Sequence, residues 1–270
     1  MVFWEISLYS LVQGITEFLP ISSSAHLFVL ESILNWSIPG RTMAIAAHLG
    51  SLFAVILYLK SDIINIIDSL FKVKINIQNQ NITLLKSLII ITVPIIVIGL
   101  FVFKNLDEKL LTLNVIAWSS IIGASLLYIA DNFKPQKRDI FSLSLLECLF
   151  IGILQVFALI PGASRAGVII TAARILNIKR IDATKLGLFT SLPTIIGAVL
   201  LELIWLINNA LNNALNNEIY LYILITCIMS FIFAYLSIIL LIKWLKNRSF
   251  TPFILYRILL GIFILYFINI

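Results

Sequence analysis

The sequence predicts an all-α polytopic membrane protein with six transmembrane helices and two broken, re-entrant helical hairpins arranged as an inverted-topology repeat. Three observations carry this expectation. Of 270 residues, 61% are hydrophobic and 12% charged, with a mean hydropathy of +1.07; a soluble domain has about 45–50% apolar and about 25% charged residues. Several apolar runs reach the ~18 residues that mark a spanning helix. The Lys and Arg residues cluster between those runs, as topology signals do. The net charge of +6 therefore speaks to membrane orientation and not to nucleic acid.

Six segments read as full spans: 42–60, 87–103, 113–130, 186–207, 219–242 and 252–269. Pro94 and Pro193 interrupt two of them, which membrane helices tolerate because neighbouring groups satisfy the freed carbonyl. Segments 60–86 (Lys60, Lys72, Lys74, Lys86), 131–141 (Lys134, Lys137, Arg138), 174–185 (Arg174, Lys179, Arg180, Lys185) and 243–251 (Lys243, Lys246, Arg248) are basic. Segment 208–218 has no positive charge, and in 104–112 Lys104 and Lys109 are balanced by Asp107 and Glu108. The positive-inside rule puts the four basic segments in the cytoplasm. The first apolar stretch lacks a basic n-region and a small-residue cleavage site, so it reads as part of the fold and not as a signal peptide. Cys148 and Cys227 lie in apolar segments and read as small buried hydrophobes.

That placement constrains the rest. Segments 131–141 and 174–185 share a side, so the apolar stretch 142–173 between them enters and returns, turning at Pro161-Gly162. Residues 1–37 break likewise at Pro20. Each half then reads as one broken hairpin followed by three spans. Three is odd, so the halves have opposite orientation, an architecture that sets its site at the midplane between broken helices. The chain reads as a single integral-membrane domain, 1–270, with repeats at about 1–130 and 142–269. Spacing agrees: Glu5 precedes Gln13 by eight positions, as Glu147 precedes Gln155. One gap then sets Pro20 on Pro161, Ser23 on Ser164 and Ser24 on Arg165.

Near the N-terminus runs Gln13-Gly-Ile-Thr-Glu17-Phe-Leu-Pro20-Ile-Ser22-Ser23-Ser24-Ala-His26-Leu. An ionisable residue at membrane depth costs roughly 2.5–3.5 kcal/mol on insertion scales, so this segment must line a polar cavity. Gln13 and Glu17, four apart, share a helix face. Pro20 stops that helix, and Ser22, Ser23 and Ser24 are natural caps for the next. In the second hairpin Pro161-Gly162 breaks the chain and Ser164-Arg165 opens a helix. Free N–H groups at a helix start favour an anion. Two such starts with Arg165 as a forked donor make a phosphate or diphosphate cradle, with Ser22, Ser24, Ser164, Gly162 and Gln13 as phosphate contacts. Glu17, with His26 or Ser23, supplies the base and nucleophile of phosphoryl transfer. An imidazole is nucleophilic at neutral pH whereas Ser23 needs a base, which favours His26.

Other polar residues have plainer readings. His48 reads as a satisfied core residue. Arg257, one turn into the last span, reads as snorkelling to the cytoplasmic interface. Arg174, Lys179 and Arg180 read as topology charges, and Glu5 and Glu147 as groups near the hairpin mouths.

The run Gln13 to Leu27 and the run Pro161-Gly-Ala-Ser-Arg165-Ala-Gly resemble the two signature motifs of the bacterial undecaprenyl-diphosphate phosphatases of the bacitracin-resistance type. His48-Leu-Gly-Ser-Leu-Phe-Ala and Phe253-Ile-Leu-Tyr-Arg257 resemble the same family, so the likeness spans the chain. It implies an enzyme of the bacterial inner membrane that hydrolyses undecaprenyl diphosphate to undecaprenyl phosphate and phosphate. Such an enzyme recycles the lipid carrier for peptidoglycan and other envelope polymers and confers resistance to bacitracin, which competes for the substrate. It further implies a divalent cation, Mg2+ or Ca2+, with Glu17 and Gln13 as the candidate ligands. A monomer and a homodimer are both open. Where the family's second motif continues Ser-Arg-Ser-Gly, this chain has Ala166, one hydroxyl fewer. The charge pattern sets the first hairpin, and with it the site, on the extracytoplasmic side. The competing expectation is a lipid-carrier flippase or proton-coupled secondary transporter, because inverted repeats with broken helices also build transporters.

Overall fold

The computed structural model describes residues 3–34, 40–71, 79–105, 112–133, 135–210 and 217–268. Regular structure among them is helical, with a single isolated bridge between Arg138 and Ile178. Lys72, Lys74, Asp107, Glu108, Lys109, Lys134 and the centre of segment 208–218 lie outside the described residues.

Both broken hairpins form. α1 (Phe3–Thr16) ends in a turn over 17–22, and α2 (Ser23–Leu34) restarts from it. α7 (Leu145–Gln155) passes through a 3₁₀ turn, Val156–Leu159, breaks at Pro161-Gly162 and resumes as α8 (Arg165–Ile175). Each restart is preceded by a serine in the left-handed region, Ser22 (φ 72°) and Ser164 (φ 67°). Such backbone costs about 1–3 kcal/mol per residue and persists only where the surroundings hold it. The conformation pairs Ser22, not Ser23, with Ser164, one position from the register that spacing gives. Gly162 has φ 89°, and a Cβ there would stand 2.6 Å from the Ile116 carbonyl oxygen, so that position accepts only glycine.

The long helices are α3 (Gly40–Tyr58), α5 (Gln80–Asn105), α6 (Leu113–Asn132), α9 (Arg180–Ala210), α10 (Asn217–Leu245) and α11 (Thr251–Ile268). Five of them are individually long and apolar enough to cross a membrane, and α3 joined to its successor makes up to six. Their sidedness is inverted relative to a soluble protein. α10 exposes Leu224, Ile228, Ile232, Leu236 and Leu240 while burying Thr226, Ser230 and Ser237. Ser230 and Ser237 donate to the Ser10 and Ile15 carbonyls of α1, at 3.3 and 2.8 Å. Apolar surface faces lipid, and small hydroxyls stitch the helices together.

Two expectations need correction. The segment expected as a charged loop after residue 60 begins with a helix, α4 (Lys60–Phe71), set at 71° to α3. Ile63, Ile66, Ile67 and Leu70 recur at helical spacing, and Lys60, Asp62 and Asp68 occupy other positions, the pattern of an interfacial helix. Arg174 and Arg180 are not free topology charges. Arg174 is fully buried, with Nε 3.1 Å from Asp131 Oδ1, and Arg180 Nε lies 2.8 Å from the same oxygen. Arg174 also donates to the carbonyls of Ile178 (2.5 Å) and Asp131 (3.1 Å). The cluster ties the end of α6 to α8 and α9. Close by, Glu147 caps α7 through a reciprocal box with Ser144 and takes both forks of Arg138, at 2.6 and 2.9 Å. That hydrogen bonding raises the Arg138 guanidinium above its ordinary pKa.

Candidate active site

The two hairpin turns meet. Between them, closed by α3 and α6, lies a polar cavity of about 480 Å³ reached by Tyr9, Gln13, Glu17, Ser22, Ser23 and Ser24 from the first hairpin. Pro161, Ser164 and Arg165 reach it from the second, with His48 from α3.

Glu17 stands at the centre. Its side chain is 5% exposed, and its Oε2 accepts from Ser23 Oγ at 2.7 Å and from Gln13 Nε2 at 2.8 Å. Its Oε1 lies 3.7 Å from Arg165 Nη2. The helical i, i+4 spacing stacks Gln13 on Glu17, and the turn at Pro20 folds Ser23 back onto the same carboxylate. A serine hydroxyl donating to a carboxylate, with a guanidinium opposite, is an activated nucleophile beside an anion clamp. Arg165 opens α8, and its Nη1 donates to Thr194 Oγ1 of α9 at 3.0 Å, which fixes the fork's orientation. Ser164 Oγ accepts from Gly167 N at 3.2 Å as the cap.

His26 lies elsewhere. Its Nδ1 is 2.7 Å from the Ser22 carbonyl oxygen and its Nε2 2.6 Å from Tyr256 Oη, with the two ring planes nearly parallel. A carbonyl only accepts, so Nδ1 carries the proton and Nε2 of the neutral ring accepts from the tyrosine. Neither nitrogen faces Glu17, and His26 does not line the cavity. The imidazole that does is His48, whose Nδ1 donates to the Ala44 carbonyl at 2.7 Å. Gly162 also stays off the lining. Its N–H donates to Ser24 Oγ at 3.4 Å, which joins the two turns, and Ser24 Oγ in turn lies 3.1 Å from Ser22 Oγ. Ala166 packs against the apolar core.

Arg257 overturns its expected place at the interface. It is fully buried, donating through Nη2 to the Ala163 and Gly162 carbonyls (2.9 and 3.1 Å) and through Nη1 to the Pro20 carbonyl (3.4 Å). One side chain from α11 thus pins both turns from behind. Gly123 and Gly167 make room for it: a Cβ on either would fall 2.6 or 2.8 Å from the guanidinium. Among the described residues no carboxylate pairs with it, so its charge adds to the positive potential behind the cavity. The sequence signal was Arg257 itself, an arginine within an apolar span; nothing in the sequence named its partners.

The sequence matches a known family. The family model for bacitracin resistance protein BacA matches residues 6–263. The chain belongs to that family. Among its relatives is a protein of Pelagibacter ubique named undecaprenyl-diphosphatase, 35% identical over 262 residues, covering 96% of this chain and 94% of the relative. Proteins of the same name from Roseobacter denitrificans (36% over 269 residues, 98% of each chain) and Alteromonas mediterranea (34% over 271 residues, 99% of each) are similar throughout. The BacA resemblance therefore spans both hairpins, α10 and the Arg257 helix, and not the motifs alone.

Proposed function

We propose that this chain hydrolyses undecaprenyl diphosphate to undecaprenyl phosphate and inorganic phosphate, with Ser23 as the nucleophile. The observation that carries the reading is the 2.7 Å hydrogen bond from Ser23 Oγ to Glu17, facing Arg165, between two helix starts. The terminal phosphoryl group binds against Arg165 and the N-termini of α2 and α8. Ser23 Oγ attacks its phosphorus, and the bond to the bridging oxygen breaks. The lipid monophosphate leaves with that electron pair, and the serine proton passes to Glu17 and on to solvent. Water then attacks the phosphoserine; Glu17 takes a proton from the water and returns it to Ser23 Oγ as phosphate departs.

The donors also suit a divalent cation, Mg2+ or Ca2+, carried in by the diphosphate. Gln13 Oε1 is buried without a hydrogen-bond partner and Glu17 Oε1 is engaged only at 3.7 Å. Among the described residues no group of three His, Cys, Asp or Glu could hold a metal alone, so substrate oxygens would complete its shell. When bound, such an ion neutralises charge on the phosphoryl oxygens.

The protein is multi-pass. We place it in the bacterial inner membrane with the cavity on the extracytoplasmic side, and read its halves, 1–130 and 142–269, as an inverted repeat. The paired left-handed serines and the charge pattern support this. Bacitracin, by sequestering the lipid diphosphate, would be opposed by such an activity.

Phosphate release from undecaprenyl diphosphate by the purified chain in detergent, where no gradient exists, tests the reading. Catalytic release is expected. A transporter would release none, and that result would replace this reading with the carrier one.

A further inference from the structure

A second cavity adjoins the polar one. It measures about 460 Å³, lies between α5, α9 and the second hairpin, and shares Ala158, Leu159 and Arg165 with the first. Apart from Arg165 and Thr194 its walls are apolar, and half-exposed Leu100 and Leu200 stand at its lipid-facing side. Its volume is that of a site for a compact organic ligand, about 300–1,000 Å³.

Two glycines keep it open. A Cβ added to Gly197 of α9 would meet nothing within 4 Å, and one on Gly99 of α5 would meet only the Leu159 side chain, at 3.8 Å. Protein interiors are close-packed, so unfilled room at helical glycines on both walls of one cavity is space kept for an occupant. A third cavity of about 390 Å³, between α4, α5 and α9, continues the path, sharing Ile96 and Pro193.

We propose that the cavity at Gly99 and Gly197 is the seat of the prenyl units next to the diphosphate, and that the rest of the chain runs past Pro193 toward α4. The inference rests on the phosphatase reading. Continuity at Arg165 identifies the occupant. A diphosphate held by that guanidinium has an apolar chain attached to its other end. The polar cavity has apolar wall at Leu27, Phe28 and Ile116 but sets Glu17, Glu31 and His48 among it, whereas the apolar one begins on the same arginine and is lined by no other ionisable group. Thr194 joins the two by holding Arg165 while lining the apolar side.

The test measures phosphate release by the full chain in detergent with undecaprenyl diphosphate and with methyl diphosphate, a short substrate that carries no prenyl unit. Gly197→Phe and Gly99→Phe fill the cavity from opposite walls, Gly197→Val fills it less, and Leu240→Phe on the lipid face of α10 is the control. The phenylalanine variants should raise KM for the long substrate roughly tenfold or more, with kcat/KM for the short one within about twofold. Valine should fall between, and the control should match wild type. Unchanged KM for the long substrate would show that the substrate's chain does not occupy the cavity and would overturn the proposal. Equal loss on both substrates would overturn it too, since the glycines would then support the catalytic turn. Wild-type protein that released no phosphate from either substrate would instead defeat the phosphatase reading itself.

Discussion

At the residue scale the proposed chemistry rests on Glu17, Ser23 and Arg165. Removing a preorganised donor of the Arg165 kind costs on the order of 2.7–4 kcal/mol, about 10²–10³ in rate. Arg165→Ala should therefore be nearly inactive, while Arg165→Lys, which keeps the charge and loses the fork, should be intermediate. Near-wild-type turnover by folded Arg165→Ala would remove it from the phosphate site. His26 acts on the backbone: its Nδ1 holds the carbonyl of left-handed Ser22. His26→Ala should lower kcat on the order of 10²-fold, as expected for a misplacement near 1 Å, with KM within about twofold, and Tyr256→Phe should be milder. A large rise in KM with kcat intact would instead assign His26 to substrate binding. Gln13, Glu17, the serines and Arg165 were legible because each belongs to a contiguous motif whose spacing fixes a helix face. His48, Thr194 and Arg257 were not, since packing between helices far apart in sequence is what brings them to the site. Arg257 meets Pro20 across 237 positions of chain.

At the element scale the breaks and long helices follow from proline placement and hydropathy, which act locally. What was missed is relational. Lys and Arg beside spans obey the positive-inside rule whether solvated or paired, so the sequence could not reveal that Asp131 gathers Arg174 and Arg180. α4 was hidden because its isoleucines read as part of a charged connection until α5 and α9 gave them a surface. Breaking a buried ion pair by removing one partner costs about 3–5 kcal/mol. Arg174→Ala should accordingly lower the thermal unfolding midpoint in detergent, and yield, by far more than Lys179→Ala. Equal midpoints for the two variants would mean that the cluster does not hold α6 to α8 and α9.

At the scale of the whole molecule, two restarting helices aim at one cavity while α11 pins their turns through Arg257. In the proposed orientation that cavity faces outward, and Ser24, which lines it, is exposed. A Ser24→Cys variant in intact spheroplasts should react with an impermeant thiol reagent, against a low background from buried Cys148 and half-buried Cys227. Labelling only after permeabilisation would reverse the orientation. The most direct measurement is steady-state phosphate release from undecaprenyl diphosphate by folded Ser23→Ala beside wild type. Loss of the attacking oxygen should reduce kcat on the order of 10³-fold or more. Ser23→Ala turning over at close to the wild-type rate would contradict serine attack driven by Glu17.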